Sequence, residues 1–314
     1  MSEPSISVIL CTHNPRASSL VRVLQALSQQ SLPLSDWELL LIDNASATPV
    51  RDRSEFSALW STLPARFVNE PTLGLTPARL RGFVEAKAPV LVLIDDDTVP
   101  ARDYLEQCKQ AFADQPTLGA IGGRIHGEFE RPPPRWAHEF LDCLAVRDYG
   151  EKPIRALIHN TLGPWEPCGA GMALRATVAR AYTHAAQAPQ RRQLDRVGAA
   201  LTSCGDTDLA RTAADIGLYL GYEPRLKLTH LIPAGRLRLS YLIKLVYAIQ
   251  RDGWLLLRLR QPSDSPLRPT AHWIRVVHAC LASASMRPQR WLLRLAARLG
   301  QLKGRSIPID PKHV

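Results

Sequence analysis

The sequence of 314 residues lacks the features that mark secreted, zinc-binding and membrane-spanning proteins. Its six cysteines are scattered without a CxxC pair, which argues against a zinc site or a disulfide framework and favours a reduced, cytosolic compartment. The first 11 residues have no basic stretch before their apolar run, so we expect no signal peptide. The apolar stretches 241–259 and 273–286 are interrupted by charge or are too short to span a bilayer, which takes roughly 20 apolar residues.

Two phosphate-binding motifs are also missing. No GxGxxG follows the first predicted strand and no GxxxxGK(S/T) occurs, which argues against a dinucleotide site and a P-loop. A sugar nucleotidyltransferase, an enzyme with a parallel sheet and acidic metal ligands, should have a glycine-rich basic loop after its first strand. Residues 11–16, at the end of the first predicted strand of this chain, contain no glycine. A sugar nucleotidyltransferase is therefore kept only as an alternative function.

Acidic residues are scarce in the last part of the chain. Residues 1–224 hold 22 basic and 26 acidic residues, whereas 225–314 hold 17 and 3. This imbalance indicates that the C-terminal part binds an anionic membrane surface or another polyanionic partner. No nucleic acid is expected, because no aromatic stacking motif of the RNA-binding type is present.

A basic amphipathic helix is predicted near the end of the chain, of the kind that lies on anionic membranes. The alternative is a helix that packs on the rest of the protein. Its two predicted faces hold Arg287, Arg290, Arg294 and Arg298 on one side and Leu292, Leu295, Ala296 and Leu299 on the other.

The most informative feature that is present is an acidic triplet after an apolar run. Residues 90–94 are typical of a central parallel strand buried on both faces, and Asp95, Asp96 and Asp97 follow directly. Three carboxylates repel one another and are costly to desolvate. A divalent cation such as Mg2+ or Mn2+, which usually brings phosphates with it, would compensate them. A solvated acidic turn is the alternative.

The first half alternates strand and helix patterns, which predicts an α/β fold with a mostly parallel central sheet flanked by helices. Ligands bind beyond the carboxyl ends of such strands. Polar residues stand there after three predicted strands, so one shared pocket is the economical interpretation: Thr12, His13 and Asn14, then Asp43 and Asn44, then the triplet. Strands are predicted at 5–11, 37–42, 66–69, 90–94 and 119–125, and helices at 19–30, 52–61, 76–88 (with Thr76 as N-cap) and 101–114.

The second half is less regular. The glycine-rich stretch 165–172 predicts a tight bend where backbone approaches a ligand. A helix is predicted at 177–196, and Asp206 and Asp208 open another, where capping is the alternative to a functional role. His230 lies in a predicted strand, 226–232, where a packed histidine is the alternative to a ligand.

These motifs together resemble the inverting nucleotide-sugar glycosyltransferases of family two, which have the GT-A fold. The resemblance covers about residues 5–245, and its strength lies in the order and spacing of motifs that are individually weak. Residues 123–130, followed by Pro132 and Pro133, are more specifically similar to bacterial exopolysaccharide enzymes, including the hormogonium polysaccharide glycosyltransferases. The matching elements are 8–15, 41–46, 74–79 with Gly82, 93–97 with Pro100, 168–172, 205–209 and 228–233.

The resemblance assigns roles to residues of this chain. Asp97 would bind the divalent ion, with His230 as a further ligand, and Asp206 would be the general base, with Asp208 in reserve. The backbone of Gly169, Ala170 and Gly171 would approach the donor sugar or the acceptor. The nucleotide-sugar would be bound by Thr12, Asn14, Asp43, Arg79 (less favoured, Arg81), Asp95 and Asp96.

This chain also departs from the family. Members often carry Glu-Asp where this chain has Gly205 and Asp206, so a non-catalytic membrane- or polyanion-binding protein on a decayed transferase scaffold is a further interpretation. The QxxRW motif of processive synthases is absent, which favours single addition over polymerisation.

The resemblance therefore implies a definite organisation and activity. We predict a GT-A domain at 1–235, with a nucleotide-sugar half at about 1–125 and an acceptor half at about 126–235, and a basic helical region at 236–314. The predicted reaction is metal-dependent, inverting transfer from a nucleotide-sugar, taken to be a UDP-sugar, to a glycan or lipid-linked acceptor in surface polysaccharide synthesis. We expect a cytoplasmic location, with contact to the inner face of the plasma membrane.

Overall fold

One mixed sheet organises the structure, a computed structural model that describes residues 3–157, 163–188, 191, 194–198, 200–260 and 288–308. Within these residues the sheet has nine strands. They are β1 (Ile6–Thr12), β2 (Trp37–Asn44), β3 (Ala65–Glu70), β4 (Val90–Asp95), β5 (Thr98–Pro100), β6 (Leu118–Phe129), β7 (Ile154–Ala156), β8 (Ala173–Arg175) and β9 (Tyr219–Ile232).

The strand order is β3-β2-β1-β4-β8-β6-β9-β5, with β7 pairing β9. The first four strands in this order are parallel, as are β6 and β9, whereas β5, β7 and β8 pair in the antiparallel direction. Cys11 of β1 stands opposite Asp95 of β4, and Thr12 stands opposite Asp43 of β2. The parallel pairing therefore brings the three polar strand ends to one edge, and the predicted α/β fold is confirmed.

Helices cover both faces of the sheet. Alternate residues of β1 enter different cores: Val8 and Leu10 pack with Leu24 of the first helix, whereas Ile9 packs with Leu209 on the opposite side. Burial on both faces explains why these strands read as continuous apolar runs. The helices are α1 (Ala17–Ser28), α2 (Ser57–Trp60), α3 (Leu75–Glu85), α4 (Tyr104–Asp114), α5 (Ala176–Ala185), α6 (Gly205–Asp215), α7 (Leu239–Arg260) and α8 (Pro288–Ser306).

Two helix predictions in the first half need correction. The expected helix 52–61 is two 3-10 turns and the single turn α2, because Arg53 has extended backbone between the turns. Thr76 is not an N-cap: α3 begins after Gly74, whose φ of 144° favours glycine and whose N–H donates to Asn44 Oδ1 over 2.8 Å.

Boundaries in the second half also differ from the predictions. The helix expected at 177–196 ends as α5 at Ala185. The strand expected at 119–125 extends to Phe129, because it pairs along its length with β9. The sheet therefore reaches further into the second half than the local patterns indicate.

The C-terminal helix α8 packs on α7, so this basic helix adopts the second of the two predicted arrangements, packing on the rest of the protein. Its buried face consists of Leu293, Ala296, Gly300 and Gly304, whereas the predicted apolar residues Leu292 and Leu299 are exposed. Gly300 and Gly304 allow close contact, since a Cβ on either would lie within 2.3 Å of a backbone oxygen of α7. The stretch 273–286 and Arg287 lie outside the described residues. Among the residues that are described, no helix has the length and apolar character to cross a membrane.

Candidate active site

A cavity of about 750 Å³ opens at the carboxyl ends of β1 and β4. Residues within 142–149, 163–170, 195–198 and 202–207 also line it, and α7 forms one wall through Leu245, Ile249 and Trp254. Most of the residues predicted for the site line this single cavity: Thr12, Arg79, Asp95, Asp96, Asp97, Gly169, Ala170, Asp206 and His230.

Three predicted residues do not line the cavity. The side chains of Asn14 and Asp43 bond to the loop after β2: Asn14 accepts from the N–H of Ala47, and Asp43 accepts from the N–H groups of Ser46 and Val50. Gly171 has a φ of 77°, and its carbonyl accepts a hydrogen bond from the Tyr104 hydroxyl. Each of the three thus has a structural contact, and their predicted ligand roles stay predictions.

The acidic triplet is partly buried, and the pKa values of its three members are shifted in different directions. Burial, together with the charge of Asp97, raises the pKa of Asp96 to about 7. The Thr12 hydroxyl donates to Asp96 Oδ2 and opposes this shift only in part. Burial also raises the pKa of Asp95, against the attraction of Arg79. The pKa values of Asp95 and Asp96 are thus both raised, as expected for carboxylates that share a site and are shielded from water.

Asp97 and His230 lie together, with Asp97 Oδ2 3.5 Å from His230 Nε2. His230 Nδ1 is 2.8 Å from the carbonyl oxygen of Leu144. A carbonyl only accepts, so Nδ1 carries a hydrogen and Nε2 is the ring nitrogen that faces Asp97. This orientation is the one that metal-ligating histidines adopt.

Arg236 contacts both of these side chains. Its guanidinium lies 2.9 Å from His230 Nε2 and 3.0 Å from Asp97 Oδ2. Burial by itself raises the pKa of Asp97, but His230 and Arg236 outweigh it and hold the pKa at about 2. Within the described residues no three His, Cys, Asp or Glu side chains converge on one point. Asp97 and His230 could supply two ligands to a divalent ion only if Arg236 moved away from them.

Arg79, rather than Arg81, reaches the cavity. Arg81 is exposed and pairs with Glu85 on the surface of α3, whereas Arg79 is 5% exposed and donates to Asp195 Oδ2 over 3.1 Å. Burial by itself lowers the pKa of Arg79, but Asp195, Asp95 and Asp206 outweigh it and keep the guanidinium charged.

Asp206 and Asp208 have different surroundings. Asp206 lines the cavity, where its Oδ2 accepts the N–H of Gly169 over 2.9 Å. Asp208 is fully buried and pairs with Arg260 over 2.8 Å, away from the residues that line the cavity. Asp206 Oδ1 also accepts the N–H of Thr207 in the first turn of α6 over 2.9 Å, which is a capping contact. The geometry thus makes Asp206 available to a bound molecule and Asp208 structural.

Several cavity residues carry no local sequence signal. Asp195 lies in a loop and Arg236 in the short 3-10 helix Ala234–Leu237, and their partners Arg79 and Asp97 are 116 and 139 residues away in the chain. Arg147 enters from the loop 142–149, where it donates to the carbonyl of Glu166. No motif of the sequence marks them, because their positions are set by the tertiary contacts of the loops.

This chain is similar in sequence to known proteins. The model of the family Glycosyl transferase family 2 matches residues 7–176. The chain is 28% identical over 105 residues to glycosyltransferase AglE of Haloferax volcanii, a stretch that covers 33% of this chain and 34% of the relative. It is 30% identical over 112 residues to validoxylamine A glucosyltransferase of Streptomyces hygroscopicus subsp. jinggangensis, covering 35% of this chain and 26% of the relative. The matches thus span about a third or less of these curated relatives.

A solved structure shares the fold. The crystal structure of GalNAc-T7 with UDP, GalNAc and Mn2+ superposes with a TM-score of 0.54 at 16% identity, over 83% of this chain and 52% of that one. This likeness shows the fold, and it agrees with the predicted GT-A architecture. With the family model matched over more than half of its residues, the chain belongs to glycosyl transferase family 2.

Proposed function

We propose that this protein transfers a sugar from a UDP-sugar to the hydroxyl of a glycan or lipid-linked acceptor, with inversion at the anomeric carbon. The observation that carries the proposal is the arrangement of carboxylates in one cavity. The triplet Asp95, Asp96 and Asp97 ends β4, and Asp206 projects from the start of α6 into the same space. A donor diphosphate at the triplet would place its sugar within the cavity that Asp206 lines.

Asp206 is proposed as the general base. Its two oxygens accept N–H groups from Gly169 and Thr207, which orient the carboxylate and leave lone pairs open to the cavity. An acceptor hydroxyl bound there would give its proton to Asp206 while its oxygen attacks the anomeric carbon. The bond to the diphosphate breaks as the new bond forms on the opposite face, so one displacement inverts the centre.

Positive groups around the cavity would bind the diphosphate. Arg79, Arg147 and Arg236 all line it. Asp97 and His230 would hold a divalent ion, Mn2+ or Mg2+. Such an ion supplies charge neutralisation for the departing diphosphate. Arg236 would then leave Asp97 and become free to bind a phosphate oxygen.

The stretch 123–130 favours surface polysaccharide synthesis by its likeness to exopolysaccharide enzymes, and a cytoplasmic location would follow from the use of a nucleotide-sugar. We keep the division into a catalytic domain at 1–235 and a helical region at 236–314. Since α7 lines the cavity, this region would also contact the acceptor. Because α8 packs on α7, we do not extend the proposal to the membrane.

The test is nucleotide release by the purified protein from a panel of nucleotide-sugars, with Mn2+, Mg2+ or EDTA. We expect metal-dependent hydrolysis of one donor, lost with EDTA and in Asp97→Ala. Asp206→Asn should retain nucleotide binding and lose about a hundredfold to ten-thousandfold in rate, as expected for a general base. Asp114→Asn, an exposed change of the same kind, is the matched control. Nucleotide release that is unchanged both by EDTA and by Asp206→Asn would refute the proposal.

A further inference from the structure

Gly205 begins α6 without a side chain at the position where the family resemblance predicts an acidic one. Its backbone does not require glycine, because it is not among the glycines with positive φ. Space does require it: a Cβ on Gly205 would lie 2.9 Å from both Cγ and Oδ2 of Asp195, closer than real contacts allow. The carboxyl group of Asp195 therefore stands where a side chain at position 205 would begin.

Asp195 is fixed in this place from several sides. Its Oδ2 accepts from Arg79 over 3.1 Å and from the Thr76 hydroxyl over 3.3 Å. Its carbonyl accepts from the Thr202 hydroxyl, and the N–H of Gly205 donates to the preceding carbonyl, that of Leu194, over 2.9 Å. The loop thus delivers a carboxylate, 7% exposed as a residue, to the N-terminus of α6.

Arg79 connects this carboxylate to the proposed reacting groups. The same guanidinium that bonds to Asp195 lies against Gly169, since a Cβ on Gly169 would be 2.1 Å from Arg79 Nη2. Gly169 in turn donates its N–H to Asp206. A continuous line of contacts therefore runs from Asp195 through Arg79 and the Gly169 turn to Asp206.

We infer that Asp195 is a positioning residue that supplies, from the loop before α6, the carboxylate that is missing at position 205. It holds Arg79 in place for the donor diphosphate and, through the Gly169 turn, holds Asp206 in place for the acceptor. The inference rests on the proposed function for the roles of Arg79 and Asp206. With Asp195 in this role, Gly205 no longer indicates a transferase scaffold that has lost its activity.

The first experiment removes only the charge. Asp195→Asn keeps the size of the side chain, and we expect kcat/KM for the donor to fall by about tenfold to a hundredfold, as for other residues that orient a reacting group. The donor KM should rise as well as kcat fall, because Arg79 meets the diphosphate. A purely structural role would lower the unfolding temperature and leave kcat and KM of the folded protein unchanged, and that result would overturn the inference.

The second experiment moves the carboxylate to position 205. Asp195→Gly removes the Cβ and the carboxyl that block position 205, and adding Gly205→Glu should recover at least tenfold of the kcat/KM lost in Asp195→Gly alone. The matched control adds the carboxylate elsewhere, as Asp195→Gly with Gly235→Glu, because Gly235 is on an exposed turn with no neighbour within 4 Å. If kcat/KM recovers in the control as well, or in neither double variant, Asp195 does not replace a carboxylate at position 205.

A double-mutant cycle covers the case in which the exchanged variant does not fold. If Asp195 acts through Arg79, the losses of Asp195→Asn and Arg79→Gln do not multiply in the double variant. Multiplying losses would overturn the inference. The proposed function fails separately, if wild-type protein turns over no donor. The unfolding temperatures of the same cycle then decide whether Asp195 and Arg79 are coupled.

Discussion

Replacing Gly169 by alanine tests whether this glycine is needed by the protein itself or only by its ligand. The sequence predicts that Gly169 lets the backbone approach a bound sugar. The structure shows a different neighbour, since the new Cβ would lie 2.1 Å from Arg79 Nη2. Ordinary contacts between such atoms are about 3.5 Å, so the guanidinium must move by more than about 1 Å.

The size of the effect follows from the surroundings of Arg79. Its side chain is 6% exposed and donates to Asp195, so it cannot swing into solvent without breaking a buried ion pair. Overpacking alone costs about 1–3 kcal/mol, and breaking a buried pair costs about 3–5 kcal/mol. We expect Gly169→Ala to lower the free energy of unfolding by about 2–4 kcal/mol without any ligand.

Urea denaturation of the ligand-free protein measures this change. Gly235→Ala is the matched control: it has open space around it, so the stiffer unfolded chain should leave it neutral or stabilise it by up to about 1 kcal/mol. Equal stability of the two variants, together with loss of donor binding in Gly169→Ala only, would refute the packing argument and restore the ligand-approach interpretation.

Three further outcomes are expected. Arg236→Ala should tighten Mn2+ binding by about tenfold in the absence of donor, because a charge-assisted hydrogen bond no longer competes for the carboxylate; an unchanged Mn2+ titration by electron paramagnetic resonance would contradict this. Arg211→Met should cost about 3–5 kcal/mol in chemical denaturation, since it leaves Glu166 buried without its bidentate partner. Asp208→Asn should destabilise the protein through the loss of its pair with Arg260 but keep kcat at 25 °C, and a loss of kcat without a loss of stability would make Asp208 the base.

Local patterns in the sequence are sufficient for much of the first half. The apolar run 90–94 forms a strand buried on both faces, because a strand covered by helices on each side needs apolar residues at every position. Parallel pairing then places Cys11 opposite Asp95, so the polar residues after β1 and β4 meet at one edge without any further information.

Local patterns are less reliable where a contact with a residue far away in the chain sets a helix boundary or a buried face. Thr76 has the residue type of an N-cap, but Gly74 takes that place because its N–H bonds to Asn44 of β2 and its φ suits only glycine. The C-terminal helix was predicted from its periodicity, yet the face that it buries depends on close contact of Gly300 with α7.

The sequence by itself determined the strands β1 to β4, the acidic triplet at the end of β4 and the order of the family motifs, because each depends on residues within a few positions of one another. Only the tertiary structure decided that Arg236 contacts both Asp97 and His230 and that the Asp195 carboxyl group lies against Gly205. These contacts join segments up to 139 residues apart, and no periodicity within either segment reports where the other will lie.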